Sequence, residues 1–134
     1  MKVFLDTNVL ASALATRGLC ADLFESVLAE HELIVSQLLL TELKRILTGK
    51  LRITQEVARE FATLLAAEGT TVATPASLPS GIPDPDDTPL IAAALTGGAE
   101  CFVTGDKALL VLGAVEGLAI VSPRQFWERT RNIR

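Results

Sequence analysis

Apolar and polar positions along this chain fall into blocks whose period changes, and the changes mark the elements. Val3-Phe4-Leu5 is a short apolar run that stops at Asp6-Thr7-Asn8, where side chains suited to capping precede Val9, Leu10 and Leu14; the pattern predicts strand, turn, helix. A second helix is expected around Ala21 to Ala29 and a strand over Glu32 to Val35. Ser36 can then cap a long helix that runs to about Leu47 and ends at Thr48-Gly49. A further helix spans roughly Gln55 to Ala67, with Gly69 behind it, and the β-branched Thr70 to Ala73 reads as a strand.

The pattern breaks over Thr74 to Asp87, where Pro75, Pro79, Pro83 and Pro85 stand among Ser and Gly. That segment reads as a loop rather than a domain boundary, because the remainder of the chain is too short to fold alone. The alternation resumes with a helix over Leu90 to Leu95 closed by Gly97-Gly98, a strand over Cys101 to Val103 ending in Thr104-Gly105-Asp106, and a short helix over Lys107 to Leu112. A last strand over Ala119 to Val121 and a terminal helix carrying Phe126 and Trp127 complete the chain. Strands alternating with helices imply βαβ units and a mainly parallel sheet of about five strands covered on both faces, a Rossmann-type three-layer α/β/α sandwich.

At 134 residues the chain is the size of one ordinary domain, so residues 1–134 are expected to form a single one. Although 49% of residues are hydrophobic, no apolar run approaches the roughly 18 to 20 residues needed to cross a bilayer. An acid at position 6 interrupts what a secretory leader would need. Cys20 and Cys101 are isolated in apolar surroundings, which favours core thiols over a zinc site or a disulfide. A cytoplasmic protein is expected.

The formal charge of −4 argues against gripping nucleic acid by bulk electrostatics, so any such role must rest on local charge. Lys44, Arg45, Lys50 and Arg52 cluster in one segment, and Arg124, Arg129, Arg131 and Arg134 crowd the C-terminal end.

Four acids stand in places that a bland surface does not explain. Asp6 and Asp106 each follow a short apolar strand, at the carboxyl edge where open parallel sheets bind ligands; the plain alternative is that each caps the next helix. Projected at about 100° per residue, Glu42 falls inside the apolar arc of Leu38, Ile46, Leu39, Leu43 and Leu47. A carboxylate there must be neutralised, paired with an Arg or bound to a cation. Asp87 precedes Leu90, Ile91 and Ala94 by three, four and seven residues, so it points the same way as the buried face. Here capping by Asp86 or Asp87 competes, with Pro89 tolerated in the first turn, and Asp84 can initiate the turn before it. Four acids directed to one edge would repel each other without metal. Oxygen-only ligands suit hard cations such as Mg²⁺ or Mn²⁺, and phosphodiester hydrolysis is the leading chemistry.

With Asp6-Thr7-Asn8 after the first strand, Ser36 and Glu42 on the next long helix, Asp84-Pro85-Asp86-Asp87 before an Ala-rich helix, and Val103-Thr104-Gly105-Asp106-Lys107, the sequence resembles the PIN-domain family. The resemblance spans nearly the whole chain and is closest to the small VapC-like toxins of toxin–antitoxin pairs. It implies an endoribonuclease that uses Mg²⁺ or Mn²⁺, cuts single-stranded RNA to leave 5′-phosphates, forms a homodimer and is neutralised by a small antitoxin. By the matching positions, Asp6, Glu42, Asp87 and Asp106 are the catalytic, metal-binding acids, with Asn8, Ser36 and Thr104 as polar supports. Asp84 or Asp86 remains a substitute or extra ligand.

Thr7, Ser36 and Thr104 have no partner base that would make any of them a nucleophile. His31, the single histidine, lies between Glu30 and Glu32 and reads as a surface residue. Lys107 reads equally as a phosphate contact and as a solvent-facing side chain. A haloacid-dehalogenase-type phosphatase would want a second Asp two residues after Asp6, where this chain has Asn8. An inert nucleotide-binding module leaves Glu42 unexplained; a PIN-like scaffold that binds RNA or a partner without cutting is the remaining alternative.

Overall fold

The structure, a computed structural model, describes residues 1–131; Arg134, one of the clustered C-terminal arginines, lies outside them. In chain order the elements are β1 (Lys2–Leu5), α1 (Thr7–Ala15), α2 (Leu19–Glu30), β2 (Glu32–Ser36), α3 (Gln37–Gly49), α4 (Gln55–Glu68), β3 (Thr70–Val72), α5 (Thr88–Thr96), β4 (Cys101–Val103), α6 (Lys107–Leu112), β5 (Ala114–Val115), β6 (Leu118–Val121) and α7 (Pro123–Arg131). The segment between β3 and α5 carries neither helix nor strand, as its prolines predict.

The six strands form one sheet in the order β3-β2-β1-β4-β6-β5. The first five pair in parallel, with Phe4 opposite Ile34 and Phe102, and Leu5 opposite Val103. Val3, Phe4 and Leu5 alternate between the two faces of β1, yet all three are fully buried, so helices cover both faces and the strands read as unbroken apolar runs. Across this centre the Phe4 and Phe102 rings stack at 5.3 Å.

The sixth strand departs from the expected five. β5 pairs antiparallel with β6 through a two-residue turn, Glu116-Gly117, whose residues have φ of 49° and 88°. Two positive-φ residues are what a tight type I′ hairpin demands. With Glu rather than Asn or Asp in the first position, the local signal is too weak to predict the hairpin.

Chain direction places the site. From β1 the chain moves outward through β2 to β3, then returns to lay β4 against the other side of β1. The order therefore reverses between β1 and β4, and the crevice beyond the carboxyl ends of those two strands is where such sheets receive ligands. Asp6 and Thr104 are the first residues past them.

At the opposite end of the strands α7 packs against α2. Phe126 is fully buried, and the Arg131 guanidinium donates to Ser26 Oγ at 3.2 Å while lying 4.2 Å over the Trp127 ring. Arg129 reaches the Cys101 thiol at 3.7 Å. Two of the C-terminal arginines thus make intramolecular contacts. His31 corrects its surface reading: it is half-buried, edge-on to Phe126 at 5.6 Å, with Nδ1 3.2 Å from the Met1 amino group. Cys101 is buried as expected, whereas Cys20 is only half-buried. Among the described residues no helix is long and apolar enough to cross a membrane.

Candidate active site

Strand register delivers Asp6. Its backbone N–H continues the ladder to the Val103 carbonyl at 2.9 Å, which turns the side chain into the crevice beside Thr104. Oδ1 accepts the Thr7 N–H at 2.8 Å, the cap expected for α1, and Oδ2 accepts the Thr104 hydroxyl at 2.7 Å. Capping and positioning therefore coexist on one carboxylate. Asp6 is only 6% exposed; burial pushes its pKa up, the two hydrogen bonds oppose that, and the Asp106 charge adds to the rise.

The Thr104 oxygen, fully buried, also accepts the Asp106 N–H at 3.0 Å. Because that N–H occupies a lone pair, the hydroxyl proton is directed at Asp6. One side chain thus ties the ends of two strands together. Asp106 is exposed, and its Oδ1 caps α6 by accepting from Ala108 N at 2.8 Å and Leu109 N at 3.3 Å.

Asp87 differs from the other two. It occupies the N-cap position of α5, but with helical backbone angles (φ −81°, ψ −22°) it makes no side-chain cap hydrogen bond. A cap needs an extended backbone to swing its oxygen over the first turn, so the capping explanation fails here. Its Oδ2 is buried and has no hydrogen-bond partner among the described residues. Burial, and then the charges of Asp6, Asp106, Asp84 and Glu42, push its pKa from 3.8 to about 6. Asp84 instead builds the turn: its Oδ1 accepts from Asp86 N at 2.9 Å and its carbonyl from Asp87 N at 3.0 Å.

Glu42 corrects the helical projection. Leu40, outside the projected arc, is buried with Leu39, Leu43 and Leu47, while Leu38 and Ile46 are only half-buried. The core-facing arc is therefore rotated away, and Glu42 stands at its margin, half-buried rather than enclosed. Burial still pushes its pKa up; Arg45 pulls it down, and Asp6 and Asp86 add to the rise.

Asp6, Glu42 and Asp87 are raised first by burial and then by neighbouring carboxylates, as expected of negative groups brought together short of counter-charge. The donor set is all oxygen, and an orphaned buried carboxylate oxygen stands among them, so the residues fit a hard divalent cation. Among the described residues no three His, Cys, Asp or Glu side chains are grouped closely enough to hold a metal ion as they stand, so the fit is one of donor chemistry.

The remaining candidates separate. Ser36 is fully buried and its hydroxyl accepts from Leu39 N at 3.2 Å, which is the cap of α3. Asn8 and Lys107 are exposed, and neither side chain hydrogen-bonds to an acid among the described residues; Asn8 borders a groove between α1 and α3 together with Lys50. Lys44 and Arg45 instead face α4, where Arg59 joins them in a cleft. No feature of the sequence pairs Arg59 with that segment, because the contact is between two helices.

A family model described as PIN domain matches residues 2–108. Among solved structures, the chain resembles VapBC2 from Rickettsia felis bound to a DNA fragment from their promoter, with a TM-score of 0.65 and 14% identity over 91% of this chain and 98% of the other. It also resembles PAE2754 from Pyrobaculum aerophilum, with a TM-score of 0.59 and 16% identity over 98% of this chain and 90% of the other. At such identities these two likenesses carry the fold alone. No curated protein sequence matched this chain.

Proposed function

The chain belongs to the PIN-domain family, and on that basis we propose that it is a divalent-metal-dependent endoribonuclease of single-stranded RNA, the toxin of a toxin–antitoxin pair. The observation that carries this reading is Asp87: a carboxyl at a helix N-cap that does not cap, with a buried unpartnered oxygen among the charges of Asp6, Asp106, Asp84 and Glu42.

Asp6, Glu42, Asp87 and Asp106 would hold the cation, with Asp84 as a substitute or additional ligand. When bound, Mg²⁺ or Mn²⁺ supplies activation of water and neutralisation of the charge that builds on a phosphodiester. The residues do the rest. Thr104 holds Asp6 in one orientation by its hydroxyl and Asp106 by its backbone. Asp87 and Glu42, raised by burial and by their neighbours, would be favoured in their ionised, ligating form by a bound cation. Lys107, exposed beside Asp106, would contact a substrate phosphate. No side chain acts as a covalent nucleophile; in-line attack of water on phosphorus with cleavage of the bond to the 3′ oxygen, which leaves protonated, would give a 5′-phosphate and a 3′-hydroxyl.

Residues 1–134 act in this reading as one nuclease unit, as a homodimer in the cytoplasm, with a small antitoxin as partner. The fold shared with a VapBC2 chain supports the antitoxin. The test is incubation of mixed single-stranded RNA with purified protein in Mg²⁺ or Mn²⁺, in EDTA, and with Asp6→Asn, with the product ends mapped. Metal-dependent cutting to 5′-phosphates that vanishes in the variant is the expected result. A folded wild type that cuts nothing in either metal would make it a non-cutting binding module instead.

A further inference from the structure

We propose that the cleft between α3 and α4, lined by Lys44, Arg45 and Arg59, holds backbone phosphates of the same RNA strand whose scissile linkage lies among the acids; this rests on the nuclease reading. Two adjoining cavities of about 270 and 300 Å³ run along this interface, and both are lined by Lys44 and Arg59. Arg45 joins them on the wall of the first. In a chain of net charge −4, such a gathering needs a reason, because the protein has ample carboxylates with which to pair its cations.

They are not paired. Among the described residues the only salt bridge is Arg131 with Glu30, and the side chains of Lys44, Arg45 and Arg59 make no hydrogen bond there. Like charges held on the walls of a concave, low-dielectric surface focus a positive field into it, and the complementary ligand is an anion. Arg45 links the cleft to the acids. Glu42 and Arg45 stand three apart on α3, hence neighbours on its surface. A strand lying across the acids would meet Arg45 first and from there reach Lys44 and Arg59. Repulsion from the acidic pocket would otherwise weaken RNA binding, and this cleft supplies the compensating attraction.

An acidic protein segment would also be drawn to positive charge, but a docked helix reads its groove through apolar anchors. Here the apolar lining is small, chiefly Ala58, Ala62 and Ala66 with Leu40 at the floor, and offers no large anchor pocket, while Thr41, Thr48 and Gln55 set hydroxyls and an amide beside the cations.

The experiment measures binding of a 5′-labelled single-stranded RNA oligonucleotide in EDTA by fluorescence anisotropy over a range of salt, alongside cleavage kinetics in Mg²⁺. Proteins compared are the wild type, the triple variant Lys44→Gln/Arg45→Gln/Arg59→Gln, the single variant Arg59→Gln, and Arg124→Gln as a control cation elsewhere. The slope of log affinity against log salt should become shallower by about 0.7 per contact removed. Affinity of the triple variant should fall on the order of 10- to 100-fold near 0.1 M salt, with the loss in cleavage appearing in KM rather than kcat and Arg124→Gln matching the wild type. Arg59, exposed on α4, reports the same slope change should the triple variant melt early. A wild type that cuts RNA while the variants keep its slope and KM overturns the cleft and leaves the nuclease reading standing; a wild type that neither binds nor cuts RNA overturns both. Variants that bind RNA normally but lose a poly-glutamate probe would assign the cleft to an acidic protein and overturn the proposal.

Discussion

Thr104 Oγ donates to Asp6 Oδ2 at 2.7 Å across the ends of β4 and β1, and the same oxygen receives the Asp106 N–H. Two acids far apart in sequence are thereby held by one hydroxyl. Thr104→Val keeps the shape and removes both bonds, leaving a buried carboxylate oxygen and an amide unsatisfied. We expect a loss of about 1–3 kcal/mol in urea unfolding and about 10- to 100-fold in cleavage rate or metal affinity. Thr104→Ser should keep most of both, and a Val variant as active as Ser would remove the positioning role.

Stability of the metal-free protein should fall as pH rises. The Asp87 carboxyl titrates near 6 in the fold against an ordinary 3.8, so the folded state holds its proton more tightly than the unfolded chain. That contribution is complete below about pH 3.8 and is lost as pH rises through about 6. Asp6 and Glu42 are shifted the same way. In EDTA the melting temperature should therefore be higher near pH 5 than near pH 7.5, and Asp87→Asn should flatten the difference. Melting that is independent of pH in the wild type would contradict the crowding of charge at the site.

Divalent cation should reverse that loss. A ligand that binds only the folded state adds about 2.7 kcal/mol at a hundredfold excess over Kd, and the cluster is charged and free to bind at the higher pH. Addition of Mg²⁺ or Mn²⁺ should raise the melting temperature more near pH 7.5 than near pH 5. Glu42→Gln and Asp87→Asn should each blunt the increase while leaving the metal-free protein as stable as the wild type or more so. An equal increase in all three proteins would place the cation elsewhere.

The C-terminal helix is expected to contribute stability rather than chemistry. Phe126→Ala removes a fully buried ring and should cost about 3–5 kcal/mol. Arg131→Ala loses the Ser26 hydrogen bond and the stack on Trp127, worth about 1–2 kcal/mol together. Calorimetry checks both, and RNA cleavage by folded Arg131→Ala should match the wild type.

Much of this molecule is legible in its pattern of residues. Apolar runs closed by polar caps locate β1, β2, β4, β6 and the helices to within a few residues, since burial on both faces of a parallel sheet leaves so plain a signature. The acids at 6 and 106 are visible as candidates because each ends such a run. Where local chemistry is ambiguous, the pattern goes astray: the Glu116-Gly117 hairpin lacks the usual Asn or Asp, and the arc projected on α3 leaves out Leu40.

The parallel α/β architecture and the order of every element but β5 are written in the chain's own pattern, which also marks the acids as candidates, because these depend on short-range periodicity and on where strands end. Which acids are explained by capping and which are not is a matter of three-dimensional packing. Packing sets Asp87 in a helical backbone that cannot cap, puts Thr104 between Asp6 and Asp106, and brings Arg59 across to Lys44 and Arg45. Those are contacts between segments distant in the chain. No local pattern encodes them, since they arise from how the helices pack on the sheet.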